Sequence, residues 1–264
     1  MLLLSSTRKK FILKTIFITG ATSGFGEAIA EKFAQNDFRI IITGRRKTRL
    51  DKVSNRLKKQ FKAEVITLNF DVRKKKEVVD AVASLPLDWK QIDVLVNNAG
   101  LAAGLDFIHE GSTDDWDQMI DTNVKGLLYI TRAIAPIMVE KKQGQIINIG
   151  STASKYVYEK GNVYCATKFA VDALSQAMRI DLLKHNIKVT AIHPGAAGTE
   201  FSRVRFKGDE QKAKAVYKGY QPLTAGDVAD AVFYCSSLPP HVCINELVIT
   251  PTAQASPLYF DRKI

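Results

Sequence analysis

A tyrosine and a lysine four residues apart, Tyr164 and Lys168, are the first residues of this chain whose types and spacing indicate chemistry. Residues i and i+4 of a helix lie on one face, so the two side chains can meet at one point. A phenol with an ordinary pKa of about 10 is a poor base at neutral pH, but a neighbouring ammonium lowers that pKa. The pair can therefore transfer protons. An ordinary amphipathic helix can carry the same spacing, so the flanking segments must decide between the two interpretations.

A glycine-rich loop near the amino terminus indicates a nucleotide site. An apolar run over residues 14–19 ends at Gly20, and an amphipathic pattern follows from Glu27 to Ala34, which predicts a strand, a tight loop and a helix. The loop glycines have the spacing G-x-x-x-G-x-G. Glycine lets the backbone approach a pyrophosphate, whose charge is stabilised by free N–H groups at the start of the helix. The alternative is a glycine-rich turn without a ligand.

The end of the second predicted strand, residues 38–43, bears on which dinucleotide binds. Gly44, Arg45 and Arg46 follow this strand. A fold that prefers NAD usually places a carboxylate here for the ribose hydroxyls, whereas arginine accommodates a 2′-phosphate. The two guanidiniums therefore predict NADP. A basic start to the Lys/Arg-rich helix predicted over residues 47–60 is the alternative.

The remaining pattern alternates strands with helices. Strands are predicted over 64–69, 92–96, 145–150, 187–192 and 246–249. Helices are predicted over 74–84, 162–185 and 226–236, and two helical patterns separated near Asn123 lie between residues 113 and 140. This alternation predicts an α/β fold of the Rossmann type, a doubly wound, seven-stranded parallel sheet with helices on both faces, forming a single domain over 14–264. Residues 1–13 form a short N-terminal extension. Residues 196–223 are polar and basic with weak periodicity, which is typical of a mobile lid over a site.

Several polar residues follow predicted strands, where ligands bind in such folds. Asp71 and Val72 follow the third strand and can contact an adenine, Asn98 follows the fourth, and Ser151 follows the fifth. Asn123 interrupts an apolar helical pattern. It either caps a helix or disturbs one so that the helix can hold a water, and the sequence leaves both possibilities open.

The composition of the chain limits the kinds of partner that it is expected to bind. The formal net charge is +11, and the densest basic cluster, residues 73–76, lacks interleaved aromatic residues, so a solvated helix end is favoured over a nucleic-acid surface. Three widely spaced cysteines have no partner at zinc spacing, which indicates free thiols in a reducing compartment and no metal. No stretch approaches the length of a membrane span. We therefore expect a cytoplasmic protein with neither a nucleic-acid nor a membrane partner.

Taken together, these motifs resemble the short-chain dehydrogenase/reductase family over nearly the whole chain. The matching segments are Thr19–Gly26, Asn97–Gly100, Asn123, Ser151, Tyr164-x-x-x-Lys168 and Pro194–Gly195. Further segments, among them Thr43–Arg46, Gly161–Tyr164 and Val204–Gly208, are similar to the NADP-dependent 3-hydroxy acid dehydrogenase branch. The resemblance implies hydride transfer between NADP and small 3-hydroxy acids such as L-serine, L-allo-threonine and 3-hydroxypropionate. It also implies a homotetramer.

The resemblance implies roles for individual residues. Tyr164 exchanges the proton of the substrate hydroxyl, Lys168 lowers the pKa of that phenol and holds the nicotinamide ribose, Ser151 binds the reacting oxygen, and Asn123 positions a water. An acid substrate also needs a cation near its carboxylate, and Arg203 and Arg205 of the lid are the candidates, with Arg205 preferred because it lies in a matched segment. For either residue, an arginine that only faces solvent is the slightly favoured alternative. His193 is given no catalytic role. The implied cofactor contacts are Gly20, Ala21, Thr22, Ser23, Gly24, Phe25, Arg45, Arg46, Asp71, Val72, Asn98, Tyr164, Lys168, Pro194, Gly195, Ala196, Ala197 and Thr199.

Three alternatives stay open at this point. The first keeps the reaction and changes the substrate, as in a broad carbonyl reductase or a 3-oxoacyl thioester reductase. The second is a nucleotide-sensing protein without activity, which is disfavoured because Ser151, Tyr164 and Lys168 are all present. The third is nucleic-acid binding, which salt-dependent retention on a polyanion would reveal.

Overall fold

The computed structural model describes residues 13–263, and nearly all of the predicted extension over residues 1–13 lies outside the described residues. Seven strands form one parallel sheet in the order β3-β2-β1-β4-β5-β6-β7. The predicted doubly wound fold is confirmed. The strands are β1 Thr15–Ile18, β2 Arg39–Gly44, β3 Val65–Asn69, β4 Ile92–Asn97, β5 Gly144–Ile149, β6 Ile187–Pro194 and β7 Glu246–Ile249.

The central strands are apolar on both faces because helices cover both sides of the sheet. All four residues of β1 and all six of β5 are buried. The strand order reverses between β1 and β4, since β2 and β3 extend the sheet in one direction and β4 to β7 in the other. Such a switch point leaves a crevice at the carboxyl ends of the strands, where ligands bind.

Nine α-helices connect the strands within residues 13–263. Helices α1, α2 and α9 pack on one face of the sheet through Ile29, Leu50 and Val228, and helices α3, α5 and α6 pack on the other. Within residues 13–263, no helix combines the length and the apolar content that a membrane crossing requires. The helices are α1 Gly24–Ala34, α2 Lys47–Phe61, α3 Lys75–Ala83, α4 Thr113–Ile120, α5 Leu127–Lys141, α6 Asn162–Asp181, α7 Phe201–Arg205, α8 Glu210–Ala215 and α9 Ala225–Ser237.

Three segments add to the sequence prediction or depart from it in ways that matter for the site. The long helix predicted over residues 162–185 ends at Asp181 and is followed by a 3-10 turn over Leu183–His185. The predicted lid, residues 196–223, contains the two short helices α7 and α8. Between α4 and α5 the chain forms a π-helical turn, Asp121–Gly126, which contains Asn123.

Candidate active site

A cavity of about 640 Å³ lies at the carboxyl ends of the parallel strands, where the fold predicts a ligand. It is lined by the residues that follow β1 to β6, by the first half of α6 and by the lid. Ala21 and Asn123 are fully buried and lie behind its wall. The predicted site residues that line the cavity are Gly20, Thr22, Ser23, Gly24, Phe25, Arg45, Arg46, Asp71, Val72, Asn98, Ser151, Tyr164, Lys168, Pro194, Gly195, Ala196, Ala197, Thr199 and Arg205.

Tyr164 and Lys168 point from α6 into this cavity, as their spacing predicts. The Lys168 Nζ atom lies 5.9 Å from the centroid of the Tyr164 ring, and it donates a hydrogen bond of 2.9 Å to the carbonyl oxygen of Ile149 at the end of β5. An ammonium has three N–H donors. One donor therefore anchors Lys168 to the sheet, and two are left to face a ligand.

Burial governs the protonation of this pair. Burial raises the pKa of Tyr164, and Tyr158 raises it further, while hydrogen bonding with Ser151 and the charge of Arg205 lower it. The phenol is therefore held protonated in the free site, which is the form that can donate a proton to a carbonyl oxygen. Burial also lowers the pKa of Lys168 to about 8. The ammonium still predominates at neutral pH, so its predicted influence on the phenol is available to the site.

Asn123 connects the backbone at Leu101 to helix α6 beside Tyr164 and Lys168. Its amide oxygen accepts a 2.9 Å hydrogen bond from the N–H of Leu101, and its Nδ2 donates to the oxygen of Leu101 at 2.8 Å and to Thr167 Oγ1 at 3.0 Å. Thr167 in turn donates to the carbonyl oxygen of Tyr164 at 2.8 Å. Of the two possibilities for Asn123, the structure shows the disturbed helix, because the residue lies in a π-helical turn.

The glycine-rich loop is held against β4 by Thr19 and Asn98. Thr19 Oγ1 accepts hydrogen bonds from the N–H groups of Asn98 at 3.0 Å and Ala99 at 2.9 Å, and Asn98 Nδ2 donates to Thr19 O at 2.9 Å and Gly20 O at 3.2 Å. Gly20 has a φ of +68°, and a Cβ there would lie 2.9 Å from Ala99 Cα. The loop therefore needs glycine for its conformation and for its close contact with β4. The predicted contact of Asn98 with a ribose stays a prediction.

A cluster of guanidiniums occupies the position predicted for a 2′-phosphate. Arg46 donates to Thr22 Oγ1 at 2.7 Å and to Ser23 Oγ at 2.9 Å, so it is anchored to the glycine-rich loop. Glu200 of the lid accepts from Arg46 at 3.2 Å and from Arg49 at 2.7 Å. Hydrogen bonding from Arg49 holds the pKa of Glu200 below its usual range. Local sequence does not reveal Arg49 or Glu200 as site residues, because they are 151 positions apart.

The predicted adenine residue Asp71 carries an ion pair at the edge of the cavity. Arg73 donates to both of its carboxylate oxygens, at 2.6 and 3.1 Å. Burial raises the pKa of Asp71, but these bonds outweigh burial and hold that pKa below its usual value. Lys74 and Lys76 of the basic cluster pair with carboxylates at 3.0 and 2.6 Å. This pairing supports the interpretation of residues 73–76 as a solvated helix end.

Helix α7 of the lid covers Tyr164. The ring centroid of Phe201 lies 5.6 Å from that of Tyr164, and the guanidinium carbon of Arg205 lies 5.1 Å from the same ring. Arg205 also donates a hydrogen bond to the hydroxyl of Tyr158, a cavity residue that the sequence did not reveal. The Nε atom of Arg205 is buried and finds no hydrogen-bond partner within residues 13–263. Arg203, the other predicted candidate, instead pairs with Glu210 at 3.0 Å and is 59% exposed.

The segment after β6, predicted to face the nicotinamide, is held by two residues that sequence reasoning missed. Gln254 accepts a 2.7 Å hydrogen bond from the N–H of Ala196, and the Tyr217 hydroxyl donates to the oxygen of Ala197 at 2.6 Å. Both partners lie far along the chain, and no local pattern marks them. They fix the backbone of the predicted nicotinamide segment.

Comparison with known proteins agrees with this geometry. The short chain dehydrogenase family profile matches residues 14–210, which is well over half of the chain. The chain belongs to the short-chain dehydrogenase family. It is 49% identical to the NADP-dependent 3-hydroxy acid dehydrogenase YdfG of Salmonella typhi over 241 residues, which cover 91% of this chain and 96% of the relative.

Two further relatives bear on cofactor and substrate. The closed form of serine dehydrogenase complexed with NADP+ superposes with a TM-score of 0.88 at 47% identity, covering 94% of this chain and 100% of that one. The sulfoacetaldehyde reductase of Chromohalobacter salexigens is 42% identical over 241 residues, which cover 91% of this chain and 94% of the relative. The family assignment makes the chain an oxidoreductase of known fold and disfavours the alternative of a protein without activity. The expected absence of a nucleic-acid partner stays a prediction.

Proposed function

We propose that this chain is an NADP-dependent dehydrogenase that interconverts small 3-hydroxy acids with the corresponding 3-oxo acids or aldehydes. The observation that carries the proposal is the meeting of Tyr164, Ser151, Lys168 and Arg205 in the lining of one cavity. A guanidinium in that lining is a natural partner for the carboxylate of an acid substrate. Relatives that act on 3-hydroxy acids and serine support this substrate class.

The residues around the loop fit NADP. Helix α1 begins directly after Ser23, and no side chain caps its N-terminus. Its first backbone N–H groups are therefore free to bind the pyrophosphate of the cofactor. Glu200 pairs with Arg46 and Arg49, and Asp71 lies 3.9 Å from Arg45 and pairs with Arg73. Four guanidiniums therefore meet two carboxylates, so a 2′-phosphate finds net positive charge. NADP supplies the hydride acceptor or donor when bound.

The proton is handled by Tyr164. In the direction of reduction, its protonated phenol donates to the carbonyl oxygen of the substrate. In the direction of oxidation, the phenolate must form first, and the Lys168 ammonium favours it. The two N–H donors of Lys168 that Ile149 leaves free are available to the ribose hydroxyls. The predicted relay of protons through a water at Asn123 stays a prediction.

Ser151 polarises the reacting oxygen. Its hydroxyl faces Tyr164, and its oxygen accepts a 3.1 Å hydrogen bond from the N–H of Ala153, which fixes the side chain at the start of a 3-10 turn. Its own O–H is thereby directed away from Ala153 and can be donated. A donor aimed at the oxygen on which charge develops stabilises the transition state.

Arg205 orients the substrate by its acid group. The guanidinium lies above the Tyr164 ring, so an anion bound to it would place a nearby hydroxyl carbon close to the phenol. The Tyr158 hydroxyl accepts a hydrogen bond from Arg205 and holds the guanidinium in place. A sulfonate has similar charge and acceptor geometry, so the same arrangement also fits a sulfonated aldehyde of the kind named for one relative.

A substrate panel tests the assignment. We would measure NADPH formation with L-serine, L-allo-threonine and 3-hydroxypropionate, with NAD as cofactor control and 1,3-propanediol as the neutral analogue of 3-hydroxypropionate. The acids should be oxidised with NADP. The kcat/KM for 3-hydroxypropionate should exceed that for the diol by about 100-fold, which corresponds to the free energy of a hydrogen bond between charged groups. Arg205→Met should abolish this preference and Arg205→Lys should keep part of it. Equal activity on acid and diol would sink the acid assignment in favour of a broad carbonyl reductase.

We also infer a homotetramer in the cytoplasm. Exposed apolar side chains on and beside α5 and α6 support a helix-mediated interface, among them Phe169 at 41% and Ile180 at 75% exposure. Cys165, Cys235 and Cys243 are free thiols, as expected in a reducing compartment. Light scattering coupled to size-exclusion chromatography measures the assembly, and a monomer at micromolar concentration would contradict this inference.

A further inference from the structure

A cluster of charged side chains lies outside the cavity, next to the 3-10 turn Thr152–Ser154 that follows Ser151. His193 of β6 is fully buried, and its Nε2 atom lies 3.5 Å from a carboxylate oxygen of Asp172 on α6 and 3.4 Å from one of Glu246 on β7. These three ligand atoms all lie within 4.8 Å of one another. They come from three separate elements, so no linear spacing in the sequence reveals them.

The hydrogen bonds around His193 allow two tautomers. Ser154 Oγ lies 2.6 Å from the carbonyl oxygen of Ser151 and 2.7 Å from His193 Nδ1, so its one hydroxyl proton can be donated to either atom. When Ser154 donates to Ser151, Nδ1 carries the hydrogen of a neutral ring and Nε2 has a lone pair; when Ser154 donates to Nδ1, the hydrogen is on Nε2. A cation bound at Nε2 selects the first arrangement.

With the hydrogen on Nδ1, the Nε2 lone pair faces two carboxylates, which is repulsive unless a cation lies between them. Nε2 has no hydrogen-bond partner among residues 13–263, although the ring is 0% exposed. Lys155 reaches both carboxylates, at 3.0 Å from Asp172 and in close contact with Glu246, but it leaves Nε2 unsatisfied. Two carboxylates, one ammonium and a neutral imidazole also leave one net negative charge.

We propose that Asp172, His193 and Glu246 form a binding site for a divalent transition cation of the zinc type. One imidazole and two carboxylates are a donor set that Zn²⁺ accepts. Bonds of ~2.0 Å at the tetrahedral angle separate ligand atoms by about 3.3 Å, close to the distances observed from Nε2. The cation balances both carboxylates once Lys155, which is 25% exposed, turns to solvent.

The surroundings support a metal ligand in the usual way. A metal-bound histidine normally donates its other N–H to a fixed oxygen, and Ser154 Oγ lies 2.7 Å from Nδ1, in position to accept that hydrogen. The ring itself is fixed, because a Cβ on Gly150 would lie 2.4 Å from Nδ1. Glu246 is 40% exposed, so the cation has an entry path and room for a water as fourth ligand. The site plays no part in the proposed hydride transfer, and it would stabilise the turn that carries Ser151.

Cobalt binding tests the proposal, since Co²⁺ occupies zinc-type sites and gives visible d–d absorption bands. Chelator-treated full-length protein is titrated with Co²⁺, and Zn²⁺ is then added. We expect one Co²⁺ per chain, displaced by one Zn²⁺. Lys155→Met, which removes the competing ammonium, should tighten binding at least tenfold.

Matched variants separate this site from adventitious binding. Glu246→Gln and His193→Gln should abolish the bands, whereas His241→Gln, which changes an exposed histidine elsewhere, should keep them. Glu246 lies at the rim, so its variant tests the site even if the buried His193 variant does not fold. Absence of the bands in the Lys155→Met protein, or unchanged bands in Glu246→Gln, would overturn the proposal and leave the cluster as an ion-pair network around the Lys155 ammonium.

Discussion

Replacing Lys168 by methionine removes a buried ammonium, and we expect the variant to gain stability relative to the wild type at neutral pH while losing activity. Lys168 is 6% exposed, and burial lowers its pKa from 10.5 to about 8. A lowered lysine pKa means that the folded state disfavours the charged form. The proposed function requires the ammonium beside Tyr164, which accounts for a fold that tolerates this cost.

The magnitude follows from that pKa. At about 1.4 kcal/mol per pKa unit, the cost of the charged form is ~3 kcal/mol. Methionine also loses the hydrogen bond to the oxygen of Ile149, which offsets about 1–3 kcal/mol. We therefore expect a net gain between about 0 and 2 kcal/mol in the free energy of unfolding at neutral pH.

The sign of the pH dependence gives the sharper test. Between about pH 8 and 10.5 the unfolded chain keeps the Lys168 proton that the folded protein has released. The unfolded state binds more protons there, so wild-type stability rises with pH across this window. Below pH 8 the full cost is present. The stability of the variant relative to the wild type should therefore fall by ~3 kcal/mol between about pH 8 and 10.5.

Urea unfolding of both proteins at a series of pH values measures this difference. Lys184→Met, at an exposed position just after α6, is the control, and its difference from the wild type should stay constant. A Lys168→Met difference that is equally independent of pH would refute the reasoning, because the buried ammonium would then carry no cost.

Three further outcomes follow from the site. Ser151→Ala should lower kcat by about 10²–10³-fold with little change in the KM for NADP, because it removes a donor to the reacting oxygen; steady-state kinetics measure this. Arg46→Ala should raise the KM for NADP by about 10–100-fold and leave that for NAD unchanged, since only the 2′-phosphate loses its charged partner; equal effects on both cofactors would contradict the placement. Gly20→Ala should weaken NADP binding and destabilise the protein by at least ~1–2 kcal/mol, because the residue has φ +68° and its Cβ would meet Ala99; calorimetric titration and thermal unfolding measure the two effects.

The sheet could be predicted from sequence because its signals are local. Buried parallel strands appear as short apolar runs, and β5, predicted over 145–150, is found at Gly144–Ile149. The glycine-rich loop could also be predicted from sequence, because its glycines directly follow a strand. The end of α6 was wrong by four residues, because the helical pattern continues through the 3-10 turn Leu183–His185. Periodicity does not distinguish the last turn of a helix from a tighter one.

Site residues were predictable where they follow strands, and they were missed where the fold joins distant segments. Glu200 reaches Arg49 across 151 positions, and Tyr158 meets Arg205 across 47. No local pattern marks such pairs. His193 is the clearest example, because its position just before Pro194 gave no reason to expect two carboxylates near its ring.

Hydride transfer with Tyr164 as the acid and base is the central claim. The most direct measurement compares wild type and Tyr164→Phe in NADP-linked oxidation of L-serine, with NADPH binding measured by calorimetry on both proteins. Removing one hydroxyl from a buried ring leaves the packing against Phe201 in place. The account predicts that binding persists and turnover falls at least about 10²-fold, the contribution of general acid–base catalysis. Turnover close to that of the wild type would contradict it.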